Sequence, residues 1–427
     1  MRVAPACPRA PRAFPCPLAP RGGSCHQGMT QSPRAASMTF SSHDKPSVLI
    51  VCDQFPPMKG GIGDYTVLLA NALIDQGVEV SLLVPEGSSH AGCRAPIAAT
   101  YPAWSWSTLP HLHRTLMATR AQWIHLQHNG GLYANCRLAA YFLPMYLHWK
   151  RWPGRIAVTF HDVNPPRLFP KAGPLRDWVV SNLAKHADLA IAADTTDVAR
   201  LRARGAVVHQ IPIGSNIPIS RVGSESSQAI RARYGIPADH FLVGHFGTSL
   251  GLDTLFEAVA NMSDTTLLLI GKTEAVGTPG AIDQLPPALR SQLTALGIGP
   301  RVRWTSHLAA EAVADALAAC DMIVLPYPGG ASLRHGGLVA AINQGRAVVT
   351  TTPKTPLVGF DTGNSLVIVP PCDAPALLTA MNEVRLDPAR NLQLEHAATT
   401  ARESFTWETI AREHARLYTA SRHASRS

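Results

Sequence analysis

The sequence predicts an α/β protein made of two doubly wound parallel domains that face each other across a cleft. Three observations carry this expectation. The chain has 427 residues, long for one hydrophobic core and natural for two. From Ser47 onward, short β-rich runs alternate with amphipathic runs at helical spacing, which is how βαβ units and parallel sheets read. The alternation pauses once, over residues 220–240, and then restarts, so there are two series.

The first series opens with SVLIVCD (47–53), a strand, followed by the Gly-rich loop PPMKGGIGD (56–64). YTVLLANALIDQG (65–77) has helical spacing and stops at Gly77, a suitable C-cap. Strands are expected at VEVSLLV (78–84), WIHLQHN (123–129), RIAVTFHD (155–162) and DLAIAAD (188–194). VVHQIPIGSNI (207–217) then leads into the connection, which is expected to be partly helical. The second series has strands at FLVGHFGT (241–248), TTLLLIGKT (265–273), RVRWTSH (301–307), DMIVLPY (321–327), RAVVTTT (346–352) and SLVIVPP (365–371). Helices are expected between them, including LDTLFEAVANM (252–262) and GLVAAINQG (337–345), and helical segments close the chain to about Ala420.

This divides the chain into a disordered tail (1–45), an N-terminal domain (46–218) and a C-terminal domain (219–404). The formal net charge is +9, but residues 1–45 hold five Arg, one Lys and one Asp, a net of +5. The other 382 residues therefore carry +4, too little to argue for nucleic acid. Seven prolines and no apolar period make the tail a poor folder. It lacks the apolar core of a secretory signal, and its prolines oppose an amphipathic transit helix. An upstream start, with Met29 or Met38 opening the folded chain, is the favoured reading. No run of about 18 uncharged apolar residues suggests a membrane span. The cysteines form no CxxC pair, so neither a disulfide framework nor a zinc site is implied, and a reducing cytoplasm is expected.

Several residues are placed to do chemistry. Gly60, Gly61 and Gly63 lie between the first strand and first helix, where the backbone can approach a ligand closely. A dinucleotide fingerprint would need glycine at Thr66, and a plain glycine turn is the bland alternative. Ser332-Leu333-Arg334-His335-Gly336-Gly337 precedes a helix and reads as a diphosphate cradle, with backbone N–H groups and the planar fork of Arg334 converging. His161 and Asp162 end a strand and so face the cleft, where His161 suits acid/base work or sugar binding, with a satisfied structural histidine as the alternative that spacing leaves open. His125 and Gln127 share a face of another strand and are candidates for the same cleft. Gly247 and Lys272 follow strands of the second series and suit a phosphate or a base. No spacing suggests a metal site. RLAAYFLPMYLHWKRW (137–152) fits either an interfacial helix or an ordinary half-buried one, which Pro144 favours.

PPMKGGIGDYTVLLANALIDQGVEVSLLV resembles the start of the family 4 glycosyltransferases with a GT-B fold. So do VTFHDVNPP, IPIGSNI, TSHLAAEAVADALAACDMIVLPY, SLRHGGLVAAINQGRAVVTT and FTWETIAREHARLY, in that order from about Ser47 to Tyr418. The resemblance implies two Rossmann-like domains, with a last helix (405–422) crossing back to complete the first. It implies sugar transfer with retention from a nucleotide-sugar to an acceptor hydroxyl, in glycan or glycoconjugate biosynthesis, without a cofactor or metal. The acceptor is a glycan, a lipid-linked sugar or a small molecule, on the side of Gly60, Gly61 and His161. The donor lies on the side of Ser332, Arg334, Gly336 and Gly337. The family's two donor-loop glutamates, spaced E-x7-E, fall at Ser332 and Ala340, so the chain is similar to a branch with S-x-R-x-G instead. The family's Arg/Lys pair is missing from GTSLGLD, which shifts diphosphate binding to Arg334 and Lys272. A GT-B protein that binds a nucleotide-sugar or glycan without catalysis, and a nucleotide-sugar epimerase, are the alternatives. A cytoplasmic location is expected, with peripheral membrane contact as an option.

Overall fold

Runs such as SVLIV and TTLLLI are mostly apolar with no alternation, which suits strands covered on both faces. In a computed structural model of the chain they become central strands of two parallel sheets. The structure describes residues 45–420, apart from 59, 91, 134–135, 165–172, 222, 248, 272–284 and 361–363. The tail predicted for residues 1–45 thus lies, except for Lys45, outside the described residues.

The first sheet has seven strands in the order β3-β2-β1-β4-β5-β6-β7. They are β1 (Ser47–Val51), β2 (Glu79–Pro85), β3 (Ile97–Tyr101), β4 (Trp123–His128), β5 (Arg155–Phe160), β6 (Leu189–Ala192) and β7 (Val208–Gln210). Its helices are α1 (Gly61–Asp75), α2 (Thr108–Thr119), α3 (Arg137–Tyr141), α4 (Leu143–Trp149), α5 (Gly173–Lys185) and α6 (Thr195–Arg202). The second sheet has six strands in the order β10-β9-β8-β11-β12-β13. They are β8 (Phe241–Phe246), β9 (Thr265–Ile270), β10 (Val302–Trp304), β11 (Met322–Leu325), β12 (Ala347–Thr351) and β13 (Val367–Val369). With it go α7 (Ser224–Arg233), α8 (Leu252–Ala260), α9 (Pro287–Ala295), α10 (Ala310–Ala318), α11 (Gly336–Asn343), α12 (Ala374–Leu386) and α13 (Pro388–Ala401). A last helix, α14 (Trp407–Ala420), follows a short 3-10 turn.

Each sheet carries an apolar cluster on either face. One cluster of the first sheet joins Val48, Ile50, Leu69 and Leu73 to Ile410, Leu417 and Tyr418, so α14 packs on α1 and on the first sheet although α13 packs on the second. Trp407 Nε1 donates to the Ser215 carbonyl at 2.8 Å, which anchors the start of α14 to the segment connecting the two halves. Among the described residues, no helix is long and apolar enough to cross a membrane.

Three local expectations are corrected. The first helix begins at Gly61 rather than Tyr65, because the glycines form its opening turn, where helix propensity matters least. β3 and α2 were not anticipated; β3 (IAATY) is an edge strand with only one buried residue and has little apolar signal. The stretch 137–152 is two short helices broken at Phe142, and Pro144 sits in the first turn of α4, where its missing N–H costs nothing.

Candidate active site in the cleft between the sheets

The strand order reverses direction once in each sheet, at β1/β4 and at β8/β11. Ligands of open α/β sheets lie beyond the carboxyl ends of the strands at such points. Here both reversal points open onto one cleft of about 560 Å³, within the range of small-molecule sites. The loop after β1 contributes Gln54 and Gly60, and α1 contributes Gly61 and Tyr65. Asn129 and His161 stand just after β4 and β5. From the other side come Phe246 at the end of β8, Gly247 after it, Arg334 in the loop after β11, and Gly336 and Gly337 at the start of α11.

Two helices begin at this cleft. Gly60 precedes α1 and His335 precedes α11, and neither start has a side-chain cap. Uncapped first-turn N–H groups and the helix dipole favour an anion or a hydroxyl-rich group there. A Cβ on Gly337 would lie 2.7 Å from the Phe246 carbonyl oxygen, so the start of α11 sits directly on the end of β8. Gly247 has φ 118°, a conformation that favours glycine. Gly63 is not in the lining; it is buried a turn inside α1, against the backbone of Gln54.

His161 faces the cleft, and its Nε2 is 2.9 Å from Gln127 Oε1. The Gln127 side-chain amide thereby holds the ring in place. The ring meets Tyr65 edge-on at 4.8 Å between centroids. Burial lowers its pKa to about 4, so the imidazole is neutral at pH 7 and can orient a hydroxyl or accept a proton. Gln127 is fully buried beneath it and does not line the cleft. Asp162 is also outside the lining: it accepts hydrogen bonds from Asn129 Nδ2 and from the backbone N–H groups of Gly130 and Asn164. Its place is to brace Asn129 at the cleft wall. His125 is corrected outright. It is fully buried, with Nε2 2.7 Å from Thr159 Oγ1 and Nδ1 2.6 Å from Tyr418 Oη, so it ties α14 to the sheet. Alternation placed it on the face of Gln127, but that face is covered by α14 at residue 125.

Arg334 lines the cleft and is held by the opposite half. Its Nη1 is 3.3 Å from Asp197 Oδ2, and its Nε is 4.0 Å from Asp194 Oδ2. Ser332 is buried behind it, accepts from the Arg334 backbone N–H at 3.2 Å and donates to Asp194 Oδ2 at 2.5 Å. Burial works to raise the Asp194 carboxyl, but hydrogen bonds from Ser332 and Thr196, with the Arg334 charge, hold it below the ordinary range. Burial raises the Asp197 carboxyl despite Arg334. Lys272 lies outside the described residues.

Asp194 and Asp197 were not anticipated as site residues. The run Asp194-Thr195-Thr196-Asp197 carries an N-cap signal, and Asp194 does cap α6 through the Thr196 N–H. Nothing in the spacing says that these carboxylates meet a loop 138 residues away.

Two family models match the chain. Residues 60–214 match the "Glycosyl transferase 4-like domain", and residues 239–387 match "Glycosyl transferases group 1". The chain belongs to the family 4 glycosyltransferases. The first match begins after β1 and spans β2 to β7, and the second spans β8 to β13. The D-inositol 3-phosphate glycosyltransferase of Streptomyces avermitilis is 28% identical over 258 residues, 58% of this chain and 53% of that one. A second, from Streptomyces scabiei, is 29% identical over 52% of this chain and 50% of its own. The chain thus spans about half the length of the curated relatives it matches. Among solved structures, HepE from Anabaena in complex with UDP and glucose superposes with a TM-score of 0.67 at 19% identity, over 88% of this chain and all of that one. A glycosyltransferase from Rickettsia africae gives 0.68 at 13% identity, over 90% of this chain and all of that one. These likenesses establish the GT-B fold, an α/β fold of two domains.

Proposed function

We propose that this family 4 glycosyltransferase moves a sugar from a nucleotide-sugar to an acceptor hydroxyl with retention of configuration. The observation that carries the reading is the cleft itself, where two uncapped helix starts and Arg334 converge. A departing nucleoside diphosphate needs such a concentration of positive potential. The bound UDP and glucose in HepE support a nucleotide-sugar donor.

The C1–O bond to the diphosphate breaks and a C1–O bond to the acceptor forms on the same face. The acceptor proton passes to the leaving diphosphate oxygen. Among the described lining residues there is no Asp or Glu, which fits transfer without a covalent glycosyl–carboxylate intermediate. This reading assigns the diphosphate charge to Arg334 and the helix starts, with no bound metal or cofactor. His161 orients the sugar or acceptor, and Gln127 holds its ring in place.

The acceptor in this reading is a glycan, a lipid-linked sugar or a small molecule, used in glycan or glycoconjugate assembly. The work is placed in the cytoplasm, with peripheral membrane contact. Five free cysteines among the described residues fit a reducing compartment.

A panel of nucleotide-sugars tests the proposal, with thermal shift and nucleotide release read together. Release of the nucleoside diphosphate is expected for the true donor. Binding without release would overturn catalysis in favour of a binding protein, and interconversion of the free nucleotide-sugar would mark an epimerase.

A further inference from the structure

Away from the cleft, α2, α4 and α5 form a face that is unlike the rest of the surface. Trp149 is 72% exposed, Trp106 53%, Trp178 48% and Met145 41%. These side chains are linked rather than scattered. The Trp106 and Phe142 rings are 6.2 Å apart, and Phe142 and Trp178 6.1 Å. Met145 on α4 accepts from Asn182 Nδ2 on α5. The ammonium of Lys150 lies 4.3 Å from the centre of the Trp149 ring and 5.8 Å from that of Tyr146.

A separate observation concerns charge. Residues 87–161 include no Asp or Glu in 75 positions, but seven Lys and Arg. Arg114 on α2, and Lys150 and Arg151 at the end of α4, are exposed. The indoles beside α2 and on α4 therefore sit among cations, while Trp178 on α5 follows Asp177 in the sequence.

We propose that this face docks on an anionic phospholipid bilayer. This deepens the peripheral membrane contact proposed above by naming the surface and the lipid charge. Indole rings favour the headgroup layer, where an apolar body and a polar N–H are both satisfied. Lys and Arg lay their stems on the apolar surface and reach anionic headgroups. A second copy of the chain suits the face poorly, because an isologous contact would set like charges against each other. Docked in this way, the N-terminal half is held at the membrane, where a lipid-linked acceptor is presented to the cleft.

Vesicle flotation tests the docking with no donor or acceptor present, so its failure and the failure of the transferase reading are distinguishable. The full chain is expected to float with phosphatidylglycerol/phosphatidylcholine vesicles, not with phosphatidylcholine alone, and to come off as salt rises. Brominated lipid should quench its tryptophan fluorescence. Trp149→Ala should remove much of that quenching, and the double variant Lys150→Glu/Arg151→Glu should weaken binding about tenfold or more. Because these side chains are exposed, both variants should unfold at the wild-type temperature. No flotation with anionic vesicles would overturn the proposal. So would flotation unchanged in both variants, or heparin binding without lipid quenching. Conversion of a wild-type dimer to monomer by either variant would assign the face to a second copy instead.

Discussion

Ser332 Oγ donates a 2.5 Å hydrogen bond to Asp194 Oδ2, and the two residues belong to opposite halves of the fold. Through it the loop that presents Arg334 and the N-terminus of α6 form one unit. Thr195 Oγ1, which donates to the Pro356 carbonyl at 3.2 Å, adds to the same junction.

Replacing Ser332 by Ala leaves Asp194 buried with one partner fewer. Loss of a hydrogen bond to a buried charged group costs roughly 1–3 kcal/mol. Ser332→Ala is expected to lower the midpoint of urea unfolding and to weaken donor binding, because Arg334 loses its support. Calorimetric titration with the donor checks this; unchanged affinity would separate the junction from the donor site.

Arg334→Ala should weaken donor binding by roughly tenfold to hundredfold, the loss of a charge-assisted contact to diphosphate. The Arg334 side chain is 37% exposed but its partner Asp197 is only 2% exposed. The variant therefore also leaves a buried carboxylate without its cation, and some loss of stability is expected, read separately by thermal melts. Lysine should restore only part of the affinity, because it lacks the planar fork.

His161→Ala is expected to lower turnover more than donor affinity. The pH dependence has a definite sign. The ordinary histidine value is 6.5, and burial lowers it to about 4 in His161 and His414 and to about 3 in His128. Below pH 6.5 the unfolded chain takes up protons that the folded chain does not, so stability falls as pH drops from about 6.5 toward 4. Asp194 acts in a lower window: its depressed carboxyl stabilises above its ordinary 3.8 and loses that contribution as pH falls through the folded value. Thermal melts across pH 3–7 check both, and a flat profile between 4 and 6.5 would contradict the histidine account.

Tyr418→Phe removes the hydroxyl 2.6 Å from His125 Nδ1 in a fully buried pair. A loss of roughly 1–3 kcal/mol is expected. Donor affinity should not change, because neither residue lines the cleft.

Gly337→Ala sets a methyl 2.7 Å from the Phe246 carbonyl oxygen, whereas nothing lies within 4 Å of a Cβ on Gly336. Gly337→Ala should displace the start of α11 and destabilise by roughly 1–3 kcal/mol. Gly336→Ala should leave unfolding unchanged, and equal effects of the two would refute the packing argument.

The central strands and most helices were legible because buried parallel strands and amphipathic helices leave strong local periods, as in SVLIV and LDTLFEAVA. β3 was not, since an edge strand with one buried residue leaves little period. Strand-end position brought His161, Gly247 and Arg334 to the cleft, because that position follows from topology. It failed for His125, because which helix covers a sheet face is decided by the distant α14. Asp194 and Asp197 were invisible as partners of Arg334 for the same reason: a contact between halves has no local spacing.

The placement of α14 also orders events in time. Residues 407–420 leave the ribosome after every strand of both sheets has been made, yet the apolar cluster that α1 forms with the first sheet is completed only when they arrive. Synthesis from the amino end therefore leaves the first half with an open, sticky side until translation is nearly done. A nonsense product that ends near residue 400 would keep both sheets and lose that cover, which makes it a substrate for chaperones and proteases rather than a smaller working protein.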